Sequence, residues 1–176
     1  GLYEEYEGTV AVNDLSLEYI NLEKYRGMVG DFLELQEIFH GSIRDNILVG
    51  RDFDQTQLEY ILNLVGLKDY LYRLPEGLDA ILQPGGKGLS KSLAQKILLA
   101  RGFVGKPKAL IMENVLPDLD AATRENVLDY LFKGNWTLMM VSYDESILSR
   151  AEEVIVMASG QILYQGSYEG YKNLKF

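Results

Sequence analysis

Residues 89–123 read LSKSLAQKILLARGFVGKPKALIMENVLPDLDAAT, and the order of patterns within them sets the fold class. Ser90 stands where an N-cap belongs, ahead of Leu93, Ile97, Ala100, Arg101 and Val104 along one helical stripe that Gly105 ends. The run KALIM, Lys108–Met112, is short and apolar, which predicts a strand buried on both faces. Asp120 then caps a second helix, AATRENVLDYLF, stopped by Gly134. Farther on, WTLMMVSY (136–143) reads as another buried strand and DESILSRA (144–151) as a short helix. EVIVMASGQILYQG (153–166) reads as two strands turning at Ser159-Gly160. Strand and helix alternate, the pattern of a parallel α/β sheet.

Working back from that stretch, the spacing predicts a strand over Thr9–Val12, a turn at Asn13-Asp14 and a short helix over LEKYR (22–26). An apolar segment follows, Gly27–Leu35. In HGSIRDNILVG (40–50), Ser42 is placed to cap a helical turn carrying Ile43, Ile47 and Leu48. Leu58, Ile61, Leu62 and Val65 fall at helical spacing, with Gly66 as the stop. RLPEGLDAILQPGGKGLS (73–90) contains two of the four prolines and is expected to be loop.

Composition excludes several functions. The 176 residues suit one domain able to bury a core. With 17 basic and 26 acidic side chains the net charge is −9, which argues against a broad nucleic-acid surface. No apolar run approaches the roughly 20 residues of a membrane span, and no signal-peptide pattern opens the sequence. Zero Cys excludes disulfides and thiolate metal sites, and a single His, His40, excludes a polyhistidine centre. His40 is expected in a loop. The 12 Tyr suit half-buried edges or an interface.

In motif order the chain resembles the nucleotide-binding domain of ABC transporters, especially the exporter type. GLYEEYEGTVAVNDLSL (1–17) is similar to the strand region after that family's phosphate-loop helix. HGSIRDNILVG resembles the segment after the Q-loop, and LPEGLDAILQPGGKGLS the approach to the signature motif. Residues 92–123 resemble signature helix, Walker B strand and D-loop, and AEEVIVMASGQILYQGSYEGY the last strands and helix. The resemblance implies a P-loop NTPase-like α/β core over residues 1–49 and 106–176, with an inserted helical subdomain over 50–105. It also implies ATP and magnesium as cofactors where nucleotide binds.

Each chemical station is altered. The Walker A pattern G-x-x-x-x-G-K-[ST], which cradles phosphates, is not among the 176 residues, and Gly85-Gly86-Lys87-Gly88 lacks its spacing. In the family that segment lies ahead of the part matched here, so its absence reflects either where the sequence begins or a loss. At the Walker B strand end, Glu113 stands for the magnesium-holding Asp and Asn114 for the catalytic Glu. Glu113 keeps a carboxylate that could hold Mg²⁺ through water, one methylene longer, while neutral Asn114 cannot take a proton from water. Ungapped alignment puts Glu34 at the Q-loop glutamine, with Gln36 available by a two-residue slip. The signature reads Leu89-Ser90-Lys91-Ser92-Leu93: Ser90 and the helix N-terminus remain, but side chains replace both glycines. Such a loop would face nucleotide on a partner subunit, with Lys91 as a point charge. Tyr143 replaces the H-loop His, and Asp118 and Asp120 fit the D-loop.

These departures predict a degenerate domain with little or no hydrolysis. The implied partners are a membrane-spanning domain and a second nucleotide-binding domain, with no nucleic acid, at the cytoplasmic side of the cell membrane. The alternative is a non-catalytic interaction or regulatory module that retains the fold and binds no nucleotide. A working half-site, completed by an upstream Walker A, is a third. With the phosphate-loop strand outside the sequence, an exposed strand edge is expected near Ala109–Met112, or a contact from another chain covering it.

Overall fold

All but one of the α-helices described here start at a side chain that accepts a hydrogen bond from the first turn's backbone. The computed structural model describes residues 7–33, 37–113 and 116–174. Strands β1 (Ala11–Val12) and β2 (Leu15–Ser16) pair antiparallel across Asn13 and Asp14, whose φ values of 48° and 63° make the expected tight turn. Asn21 caps α1 (Leu22–Gly27), which leads into β3 (Val29–Phe32). After β4 (Gly41–Ser42), Ser42 and Asp45 form a reciprocal capping box on α2 (Ile43–Leu48). The Ser42 bonds hold the Asp45 carboxyl below its usual range.

Asp54 caps α3 (Gln55–Leu64), which buries Leu58, Ile61 and Leu62, and Gly66 follows it at φ 69°. The segment expected to be loop carries more structure than its prolines suggest. After α4 (Lys68–Leu71), it contains single 3-10 turns over Gly77–Asp79 and Pro84–Gly86 and β5 (Ile81–Leu82), which pairs antiparallel with β4. Ser90 caps α5 (Lys91–Val104), and β6 (Ala109–Glu113) follows. Asp120 caps α6 (Ala121–Lys133), then come β7 (Thr137–Val141), α7 (Glu145–Leu148), the β8 (Val154–Ala158) and β9 (Gln161–Gly166) hairpin, and α8 (Tyr168–Lys172).

The central sheet is parallel, in the order β3-β6-β7, as the alternation of elements predicts. Phe32, Leu110 and Met112 point to one face and are buried, with Leu138 and Met140 partly so. That face packs on α5, where Phe32 meets Phe103 edge-on at 5.2 Å. Gly102 makes the approach possible, because a Cβ there would fall 2.2 Å from the Phe32 ring.

Two expectations fail on the other face. Neither β6 nor β7 is buried on both sides: Ile111, Met139 and Val141 are 36%, 63% and 57% exposed. Strict alternation along the pleat puts these three on the face opposite α5. The free strand edge is also not at Ala109–Met112. β6 is the middle strand, paired to β3 and β7, and the edges without a partner among the described residues are the outer ones of β3 and β7.

Candidate functional site

Parallel strands bring their C-terminal ends to one rim of a sheet, where α/β proteins place their chemistry. Here that rim holds Glu113, the last residue of β6, in register with Val141 of β7. Two residues beyond Val141, the Tyr143 ring is 97% exposed. The carboxylate and the phenol therefore share one rim, and both face solvent. Asn114, Glu34 and Gln36 lie outside the described residues.

Leu116 and Leu119 are buried and anchor the turn after β6, leaving Asp118 exposed between them. Asp120 is the best-connected acid of the set. Its carboxylate accepts from Thr123 N–H at 2.9 Å, Thr123 Oγ1 at 2.8 Å and Lys96 Nζ at 2.9 Å. These bonds, the Thr123 amide first, hold its carboxyl far below the usual range. Lys96 belongs to α5, so the signature-like helix and the D-loop-like turn are tied by this pair.

At the start of α5, Ser90 Oγ accepts the Leu93 N–H at 3.2 Å. Lys91 is exposed, and its backbone N–H and that of Ser92 belong to the first turn, where a helix leaves its donors unpaired. Such a terminus favours anions. Among the described residues no hydrogen bond or ion pair joins Ser90, Lys91 or Ser92 to Glu113, Asp118 or Tyr143. Among the described residues no group of three or more His, Asp or Glu side chains converges as a metal centre. Magnesium that keeps several waters and takes phosphate oxygens can be held by a single protein carboxylate.

Three basic residues organise this region without having been singled out by motif. Lys96 holds Asp120. Arg101 donates Nε to Asn46 O at 2.7 Å, Nη2 to Asn46 Oδ1 at 3.1 Å, and Nη1 and Nη2 to Glu37 O at 3.2 and 3.3 Å. Its guanidinium also lies 5.6 Å from the Phe39 ring centre. Fully buried Asn46 bonds Phe39 N–H, Phe39 O and Ser42 O, so Arg101 and Asn46 together fix the chain after β3 against α5. Arg124 binds Asp144 and Ser146 Oγ, which fastens the start of α6 to the loop bearing Tyr143. The signal for Lys96 and Arg101 was present: a charge set among the apolar residues of a core helix requires a partner.

Glycine-rich 85–88 continues from a single 3-10 turn, Pro84–Gly86, into loop, with Gly85, Gly86 and Gly88 all at positive φ. His40 is exposed in the bend before β4.

A parallel sheet with α5 packed across it and its capped turns at the strand ends is the α/β core that the resemblance implies. Comparison with solved structures agrees: a bacterial Atm1-family ABC exporter with ATP bound superposes at a TM-score of 0.87, covering 96% of this chain and 30% of that one at 22% identity. No family model matches the sequence. Curated relatives include an uncharacterized ABC transporter ATP-binding protein of Bacillus subtilis, 26% identical over 171 residues. A heterocyst differentiation ATP-binding protein of Nostoc is 27% identical over 170 residues, and an ATP-dependent permease of Candida albicans 29% identical over 178. These three matches cover 95%, 95% and 97% of this chain but 28%, 28% and 26% of the relatives. The chain is thus a relative of exporter-type ABC transporter ATP-binding proteins and spans little more than a quarter of their length. Among the described residues no helix is long and apolar enough to cross a membrane.

Proposed function

We propose that the chain is part of a degenerate nucleotide-binding domain of an exporter-type ABC transporter, coupling ATP binding to transport with little or no hydrolysis of its own. The observation that carries this reading is the rim of the sheet. Glu113 and Tyr143 occupy the strand-end positions, and Tyr143 offers a neutral phenol where the family uses an imidazole. With Asn114 following Glu113, no carboxylate stands at the position that would activate water. Glu113 would hold Mg²⁺ through water. Ser90, Lys91 and Ser92 would face nucleotide bound by a partner domain, and Asp118 and Asp120 would act as the D-loop. Residues 50–105 would form the helical subdomain, and 1–49 with 106–176 the core. The partners would be a membrane-spanning domain and a second nucleotide-binding domain, at the cytoplasmic face of the membrane.

Phosphate release with magnesium-ATP tests the claim, on this chain and on the polypeptide its coding sequence specifies. Turnover indistinguishable from background is expected, and a rate typical of the family overturns it. Calorimetric titration with ATP separates the second reading, an interaction module on the same fold. Saturable, magnesium-dependent heat supports a degenerate nucleotide site, whereas no heat and an unchanged melting temperature support the module.

A further inference from the structure

At the N-terminal end of β7, across the sheet from Glu113 and Tyr143, α3 and α6 flank an open cleft of about 610 Å³. Small-molecule sites typically run to roughly 300–1,000 Å³. The floor is aromatic. The Tyr130 ring centre lies 4.8 Å from Trp136, 4.9 Å from buried Phe103 and 6.1 Å from Tyr60. The indole is locked, because Nε1 donates to Leu131 O at 3.0 Å and a Cβ on Gly134 would fall 1.9 Å from its ring.

Around this floor stand four neutral polar side chains, those of Tyr60, Asn63, Asn126 and Tyr130. None of the four hydrogen-bonds to a described residue, so their donors and acceptors are open to a ligand. Burial, with Tyr60 beside it, pushes the Tyr130 phenol up to about 12, so it stays a protonated donor at neutral pH. The rim is charge-compensated: Asp129 pairs with Lys133 at 2.7 Å, and Arg150 beyond it is shared between Glu125 at 2.8 Å and Asp129 at 3.6 Å.

We propose that this cleft binds a neutral polyhydroxylated ring of the saccharide class. The aromatic rings are tilted 48–53° to one another and form no parallel slot for a planar base. Tyr60, 56% exposed, offers its ring to the C–H side of a pyranose, while amides and phenols, which both donate and accept, match its hydroxyls. The compensated rim gives no net charge to hold an anion or a cation. The site is independent of the nucleotide chemistry proposed above.

Trp136 is the only tryptophan, so its fluorescence reports on the cleft directly. The chain is titrated with methyl glucoside, methyl galactoside and methyl mannoside, with glycerol as the control for bulk solvent effects. A saturable change with at least one glycoside is expected, weakened about tenfold in Tyr60→Ala and in Asn126→Ala. Both side chains are exposed, so circular dichroism should stay that of the parent, and if one variant misfolds the other and Asn63→Ala decide. A linear, glycerol-like response to every glycoside overturns the proposal. So does undiminished affinity in the folded variants, or saturation by adenosine with none by glycosides.

Discussion

Asp120 shows how one carboxylate can serve two structural purposes, and its charge makes both measurable. It caps α6 through Thr123 and receives Lys96 from α5. The carboxylate is 55% exposed and Lys96 only 15%, so the cap rather than the ion pair supplies most of the stabilisation. Asp120→Ala is expected to cost about 1 kcal/mol, which for a chain of this size lowers the melting temperature by about 2–4 °C. Asp120→Asn keeps a capping oxygen and should cost less. Because the folded carboxyl titrates below its unfolded value, the charge contributes fully above the unfolded pKa of about 3.9. It is lost as pH falls from there toward the folded value. The stability gap between the parent and Asp120→Asn in urea unfolding should therefore be widest near neutrality and close below about pH 4. A gap that persists unchanged in acid would show that the charge contributes nothing. The cap was legible from Asp120 standing before an apolar run. Its pairing with Lys96 was not, since contacts between distant helices leave no local spacing.

At the level of elements, most of the helices and the β8–β9 hairpin were readable because caps and turns are local devices: Ser42, Ser90, Asp120 and Ser159-Gly160 all stand where the structure uses them. Burial was not readable in the same way. ALIM and LMMV contain no polar residue to mark an outward face, so β6 and β7 read as buried on both sides. β5 escaped notice because two residues cannot establish a period. β7 consequently presents an unpaired edge with Met139 and Val141 beside it, a combination that invites association between chains. Replacing both by Lys should lower light scattering at high protein concentration while changing stability by no more than about 0.5 kcal/mol. A loss of about 2 kcal/mol or more would instead mean that this face is packed in solution.

For the whole molecule the question is whether the helical middle and the sheet unfold as one body. The sequence suggested a division, with 50–105 set apart from the rest. The buried cluster runs through it without a break, joining Leu58 and Ile61 of α3, Ile97 and Phe103 of α5, Leu110 and Met112 of β6, and Val127 and Leu131 of α6. Polar ties cross the same boundary: Arg101 to Asn46 and Glu37, Lys96 to Asp120, and β5 to β4. Separate melting would have to open this shared core, at the cost of exposing both halves. Thermal unfolding followed by circular dichroism, which reports the helices, should coincide with that followed by Trp136 fluorescence, which reports the α6–β7 junction. Arg101→Met leaves the carbonyls of Glu37 and Asn46 without their donor. It should lower both transitions together, by about 2–3 kcal/mol, because its bonds span the two parts. Resolved transitions in the parent chain, or a variant in which only the helical signal shifts, would establish that the boundary suggested by the sequence is also a thermodynamic one.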